Sequence, residues 1–214
     1  MLENFKTSIH TNVVISDKQT GEVLVNKSNQ IHPGNMAIAI ARGLSASAKH
    51  QIFKMKLGNQ GTYIDATRQI VFRPPNVVEM TADLYNPTYA EIVDDSNIGA
   101  GSGNSVNYTA IPNSTNARVI ITATISANEA VNRATDEADS ATPTPDPETH
   151  AELDPEGQFF FDELGLFTAG VNETSTALLD SPSELMLTHL IFSPIEHTGS
   201  RELSIVYTLL ISVS

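Results

Sequence analysis

Residues 201–213, RELSIVYTLLISV, decide the fold class. Leu203, Ile205, Tyr207, Leu209, Ile211 and Val213 form one apolar row at a spacing of two, while Ser204, Thr208 and Ser212 fall on the other side. A period of two places a row on one face of a β-strand, so this stretch reads as a long strand with a buried side. The preceding stretch, 184–192, is apolar on both faces: Met186, Thr188, Leu190 and Phe192 oppose Leu185, Leu187, His189 and Ile191. It reads as a strand covered on two sides. Near the start of the chain, Ile9, Thr11, Val13 and Ile15 alternate through 6–17, a DKQTGE turn follows with Gly21 for the reversal, and 22–26 returns as the second arm of a hairpin. Further strands are expected at 52–57, 89–93, 105–110 and 117–125. Many strands joined by Pro/Gly turns predict a mainly β protein, an antiparallel β-sandwich.

Helical periodicity occurs once. After Pro33, Asn35 is a candidate cap for a helix over 36–44, with Met36, Ile40 and Leu44 on one face, Ala37 and Ala41 beside them, and Gly43 near its end. The small side chains let such a helix lie close against a sheet. In 52–57, Phe53, Met55 and Leu57 point one way and Lys54 and Lys56 the other. Pro74-Pro75 breaks regular structure, because proline has no N–H for a ladder.

Residues 128–157 differ in kind. DEADSATPTPDPETHAELDPEG is rich in proline, threonine, alanine and acid, and Leu153 is its only large aliphatic residue. Such a composition buries too little apolar surface to offset chain entropy, so it predicts a long acidic loop or insertion, either a contact arm or a solvated surface loop. A linker between two domains is rejected, because the strands beyond it are too few for a separate core. The expectation is a single domain over 1–214.

The chain of 214 residues has no cysteine and a formal net charge of -13. Disulfide frameworks and thiolate metal sites are thereby excluded, and folding in a reducing cytoplasm fits. The acidic balance opposes phosphate backbones, so no nucleic-acid partner is expected. MLENFKTSIHTN is not a signal peptide, and the longest apolar stretch falls well short of the roughly 18 residues of a membrane span, so the reading is a soluble protein with no membrane partner.

The sequence carries no catalytic, cofactor or metal signature. There is no Gly-x-Ser-x-Gly elbow, and a triad assembled only by folding leaves no mark. The run Gly99-Ala100-Gly101-Ser102-Gly103-Asn104 leads into a strand, whereas a dinucleotide site needs a helix there. Asp94, Asp95 and Asn97 offer hard oxygens but miss the EF-hand spacing, and read as a solvated turn. His10, His32, His50, His150, His189 and His197 show no ligand spacing; His189, inside a strong strand, reads as a packed, hydrogen-bonded core residue. The acidic segment lacks the rigid, desolvated setting that acid–base pairs need.

Phe161-Asp162-Glu163-Leu164-Gly165-Leu166-Phe167-Thr168 resembles the F-N-E-x-G-L-F element of virion proteins of tailed bacteriophages. In those proteins, as here, a strand pair follows, with Phe192-Ser193-Pro194 and Arg201-Glu202-Leu203 marking its steps. The small-residue helix and the strand ending Leu57-Gly58-Asn59-Gln60-Gly61-Thr62 are similar to the same group, and about the middle half of the chain is unmatched. Gly165 is expected to turn the chain sharply, with Phe159, Phe161, Leu164, Leu166 and Phe167 as anchors beside the last strand pair. The resemblance implies a non-enzymatic structural component of the virion at the neck, collar or tail. It also implies other virion structural proteins as partners, symmetric self-assembly into a homo-oligomer, and assembly in the host cytoplasm. A capsid decoration protein is one alternative. A receptor- or carbohydrate-binding module of a tail fibre is another, although tryptophan is absent and Tyr63, Tyr85, Tyr89, Tyr108 and Tyr207 are scattered.

Overall fold

A computed structural model describes residues 6–45, 50–96, 103–127, 159–169, 183–198 and 200–214. The protein is mainly β: two five-stranded antiparallel sheets face each other as a sandwich, with a two-stranded hairpin and one α-helix among the described residues. The first sheet runs β2 (Val23–Lys27), β1 (Thr7–Asp17), β12 (Leu203–Val213), β9 (Asn116–Ile125), β8 (Ser105–Ala110). The second runs β3 (Gln30–Ile31), β11 (Met186–His197), β10 (Phe159–Thr168), β4 (Ile52–Gly58), β7 (Pro87–Ile92). The hairpin is β5 (Thr62–Ile64) with β6 (Ile70–Phe72), and the helix is α1 (Pro33–Leu44). The predicted acidic segment 128–157 lies outside the described residues, as does Asn97.

β12 is the centre of the first sheet. It pairs with β1 from Thr7↔Val213 to Asp17↔Leu203 and with β9 from Leu203↔Ile125 to Ser212↔Asn116, without a register shift on either side. Leu203, Ile205, Tyr207 and Leu209 are buried between the sheets beside Val13, Ile15, Ile121 and Ala123. Met55, Leu57, Leu164, Leu166 and Phe192 close the core from the second sheet. The apolar row of β12 continues past that cover: Ile211 is half-buried and Val213 exposed. Burial at about 25 cal/mol per Å² of apolar area makes this shared interior the main source of stability.

Four expectations need correction. First, the helix begins at Pro33, whose missing N–H costs nothing in a first turn, and His32 is its cap, Nδ1 accepting from Asn35 N at 3.1 Å. Second, Asn35 is not a cap. It is fully buried and donates from Nδ2 to Met186 O (3.0 Å) and Met80 O (3.2 Å), which sews α1 to β11. That tether turns Met36 and Ala39 inward and leaves Ile40 and Leu44 exposed, so of the three residues at four-residue spacing Met36 alone faces the core. Third, Gly165 sits inside β10 and ends no strand; β10 runs unbroken, with register shifts against β11 at Phe161/Glu163 and Leu166/Phe167, through the Phe-Asp-Glu-Leu-Gly-Leu-Phe element between β11 and β4. Fourth, β11 extends beyond 184–192 to His197, with Pro194 accommodated where the pairing to β10 shifts between Phe161 and Glu163.

The two sheets are also tied by a polar latch. Asn104, last of the glycine-rich run, donates to Ile92 O (2.8 Å) at the end of β7 and accepts from Thr124 N (2.9 Å) in β9.

Candidate functional site

The alternation of β4 that puts Met55 and Leu57 in the core sends Lys54 and Lys56 to the outer face of the second sheet, yet both lysines are fully buried. The connection from β6 to β7, residues 73–86, covers that face. Cross-strand register sets its rows: Lys56, Gly165 and His189 lie side by side on β4, β10 and β11, and Glu163 sits one step along β10 on the same side. Six chemically demanding side chains therefore share one covered layer: Lys54, Lys56, Asp83, Glu163, Glu184 and His189.

The lysines are neutralised within the layer. Lys54 Nζ meets Glu184 Oε2 at 2.6 Å, while Lys56 Nζ meets Glu184 Oε1 and, at 3.0 Å, Asp83 Oδ2. The Lys56 ammonium also lies 4.4 Å from the centre of the Phe167 ring, whose face attracts a cation. Burial pushes the Glu184 carboxyl above the usual range, and the neighbouring Lys56 and Lys54 charges pull it back. An unpaired charge in such a place would be strongly destabilising, which explains the matched acids.

Glu163 and His189 form the second half. His189 Nδ1 accepts the backbone N–H of Asn76 at 2.8 Å, so that nitrogen carries no proton. The ring proton is therefore on Nε2, which donates to Glu163 Oε2 at 3.0 Å. The remaining capacity of the carboxylate goes to backbone: Tyr85 N to Oε2 (2.9 Å), Asn86 N to Oε1 (2.9 Å) and Gln60 N to Oε1 (3.4 Å). Next to it, Asp162 accepts from Gly61 N and Thr62 N, both at 2.8 Å, and from Thr62 Oγ1 at 2.5 Å. Burial raises the Asp162 carboxyl above its ordinary value, opposed by those three donors. The two adjacent acids of β10 thus hold two separate stretches of chain, one before β5 and one before β7.

This packing dictates two glycines. A Cβ on Gly165 would lie 2.9 Å from the Phe167 ring, 3.0 Å from Thr188 O and 3.1 Å from Leu84 Cδ2. A Cβ on Gly58 would overlap Asn86 O and Glu163 Oε1. Both glycines are required by close approach, and at Gly165 this, not a bend, is the reason for the residue.

The Glu163–His189 pair is of a type used in proton transfer, but each of its polar atoms is committed to a tether. Phe161, Leu164, Leu166 and Phe167 are buried as expected of anchors, and the Phe159 side chain lies outside the described residues. His189 is the packed, hydrogen-bonded residue the sequence predicts; His32 and His197 are buried too, His10 is exposed, and His150 lies outside the described residues. Asp94 Oδ1 accepts from Ser96 N (3.1 Å) and Ser96 Oγ (2.6 Å), which makes a turn of the expected kind. Among the described residues no group of three or more His, Cys, Asp or Glu is placed to hold a metal, and no helix is long and apolar enough to cross a membrane. The buried layer is not predicted because Lys54 and Lys56 look like solvent-facing alternates; Glu163, a charged residue inside an otherwise apolar element, is the available signal.

Several large apolar side chains of the hairpin and the cover are exposed, among them two that carry a cation over the ring, Arg73 over Tyr63 and Lys27 over Phe72. Tyr63, Ile64, Ile70 and Phe72 on the hairpin and Val78 and Met80 on the cover are all substantially exposed. Exposed large apolar groups are a feature of contact surfaces. No family model, curated protein or solved structure matches the chain.

Proposed function

We propose that this chain is a non-enzymatic structural component of a tailed-phage virion, placed at the neck, collar or tail and working through protein–protein contacts with other virion proteins and with copies of itself. The observation that carries the reading is the use made of the Phe-Asp-Glu-Leu-Gly-Leu-Phe element. Its two acids are spent on backbone N–H groups of the loops before β5 and β7, its leucines fill the core, and its glycine admits the cover. A motif used in this way is a scaffold that fixes loops; the connection held before β7 exposes Val78 and Met80, and the hairpin that follows the other held stretch exposes Tyr63 and Phe72. Rigidly held, apolar loops suit a particle in which one protein must dock against another at low cost in ordering entropy.

The test is incorporation. Tyr63→Asp/Phe72→Asp changes only exposed side chains and should leave the isolated protein folded while lowering its copy number in purified particles. Normal incorporation of the double variant would remove this surface from the proposal.

A further inference from the structure

We infer that β8 is a pairing edge for a second copy of this chain, the two β8 strands running antiparallel about a two-fold axis and joining two first sheets into one continuous sheet. β8 pairs with β9 from Ser105↔Thr122 to Ala110↔Ala117 without a shift, and no described strand lies on its other side. Open edges are ordinarily blunted by shortness, proline, charge or bulges, since each presents unpaired N–H and C=O groups. The other three edges follow that practice. β2 ends in exposed Lys27 and pairs through a bulge; β3 has two residues; β7 begins with Pro87, carries Glu91 and shifts register against β4. β8, Ser105-Val106-Asn107-Tyr108-Thr109-Ala110, has none of these devices, and Asn107 to Ala110 are exposed.

A second observation comes from Tyr108. It shares a face with Val106, which packs against the core, and its register partner Val119 does the same, yet Tyr108 is 83% exposed. An aromatic ring on the core-facing side of an open edge is placed to be covered by whatever extends the sheet.

Charge selects a copy of the chain as that extension. With a net charge of -13, most surfaces of two copies repel. β8 has no charge, and along Asn116–Thr122 of its partner strand the charged side chain is Arg118, opposite Thr109. Across the axis the two Arg118 strands would be three strand spacings apart, about 14 Å, beyond the screening length of about 8 Å at physiological salt. Directly opposed residues share a face, so only two central registers exist. With the axis at Asn107, Tyr108 faces the partner's Val106; with the axis at Tyr108, the two tyrosines face each other.

The absence of cysteine makes the test direct. Asn107→Cys and Tyr108→Cys are oxidised mildly and run on a non-reducing gel, with Thr109→Cys as the off-axis control. One of the first two should cross-link to a covalent dimer and Thr109→Cys should not. Sedimentation equilibrium of the wild type should give an even-numbered assembly, and Tyr108→Lys, with circular dichroism unchanged because the side chain is exposed, should halve the mass. A monomeric wild type, equal cross-linking at all three positions, or a folded Tyr108→Lys of unchanged mass would overturn the inference. The inference uses strand geometry and charge only, so it stands or falls separately from the virion reading.

Discussion

Replacing Glu163 by glutamine keeps the shape of the side chain and should nevertheless destabilise the protein, because every group around the carboxylate donates. Oε1 receives Asn86 N and Gln60 N, and Oε2 receives Tyr85 N and His189 Nε2. A carboxamide offers one oxygen, so in either orientation its NH2 group faces two N–H donors. His189 cannot relieve the conflict by changing tautomer, since a proton on Nδ1 would then face Asn76 N–H at 2.8 Å. Hydrogen bonds to charged groups contribute about 1.5–3 kcal/mol each, and two are lost, so a cost of about 3–6 kcal/mol is expected. In a chain of this size 1 kcal/mol moves the melting temperature by about 2–4 °C, which gives a drop of about 9–18 °C for the middle of that range. Calorimetry reads the global cost, and amide exchange at Tyr85 and Asn86 reads local opening of the cover. An unchanged melting temperature together with unchanged protection of those two amides would refute the tether.

Three further outcomes follow from the same geometry. Ile205→Asp places a carboxylate at a fully buried position between Ile15 and Ala123; the cost of several kcal/mol is comparable with a whole domain's stability of about 5–15 kcal/mol, so the variant should not fold, and a cooperative melt at the wild-type temperature would contradict the burial. Glu184→Ala strips the shared acid from Lys54 and Lys56 and should cost about 3–5 kcal/mol, read as a lowered urea midpoint, and a midpoint that does not move would show the acid to be dispensable. The raised carboxyls of Asp162 and Glu184 fix a sign: the folded state holds their protons at pH values where the unfolded state has lost them, so their stabilising contribution is full below the ordinary values of 3.8 and 4.5 and is lost as pH rises through the folded values. Carbon-detected titration should place both midpoints above those ordinary values; midpoints at or below them would reverse the sign.

The central strand was legible because β12 is long, period-two and buried along most of one face, and nothing in its pairing shifts that period. The β1–β2 hairpin and β4 were legible for the same reason. The helix face was not, because Asn35, a polar residue, fixes its rotation through bonds to Met186 and Met80, far along the chain. β10 was hidden by its own motif, since Asp162, Glu163 and Gly165 look like turn residues until the loops they hold are in place. The buried layer was the hardest to see. The partners Lys56 and Glu184 are 128 residues apart, and the rule that alternate polar residues face water fails wherever a connection such as 73–86 roofs a sheet.

The central proposal, a structural protein of a tailed-phage particle, is tested most directly by quantitative mass spectrometry of particles purified from the source of this sequence. The chain should be present in intact, nuclease-treated particles at a fixed copy number and should stay with the neck or tail when heads and tails are separated. Its absence from purified particles, with the protein found only in the soluble lysate, would contradict the account.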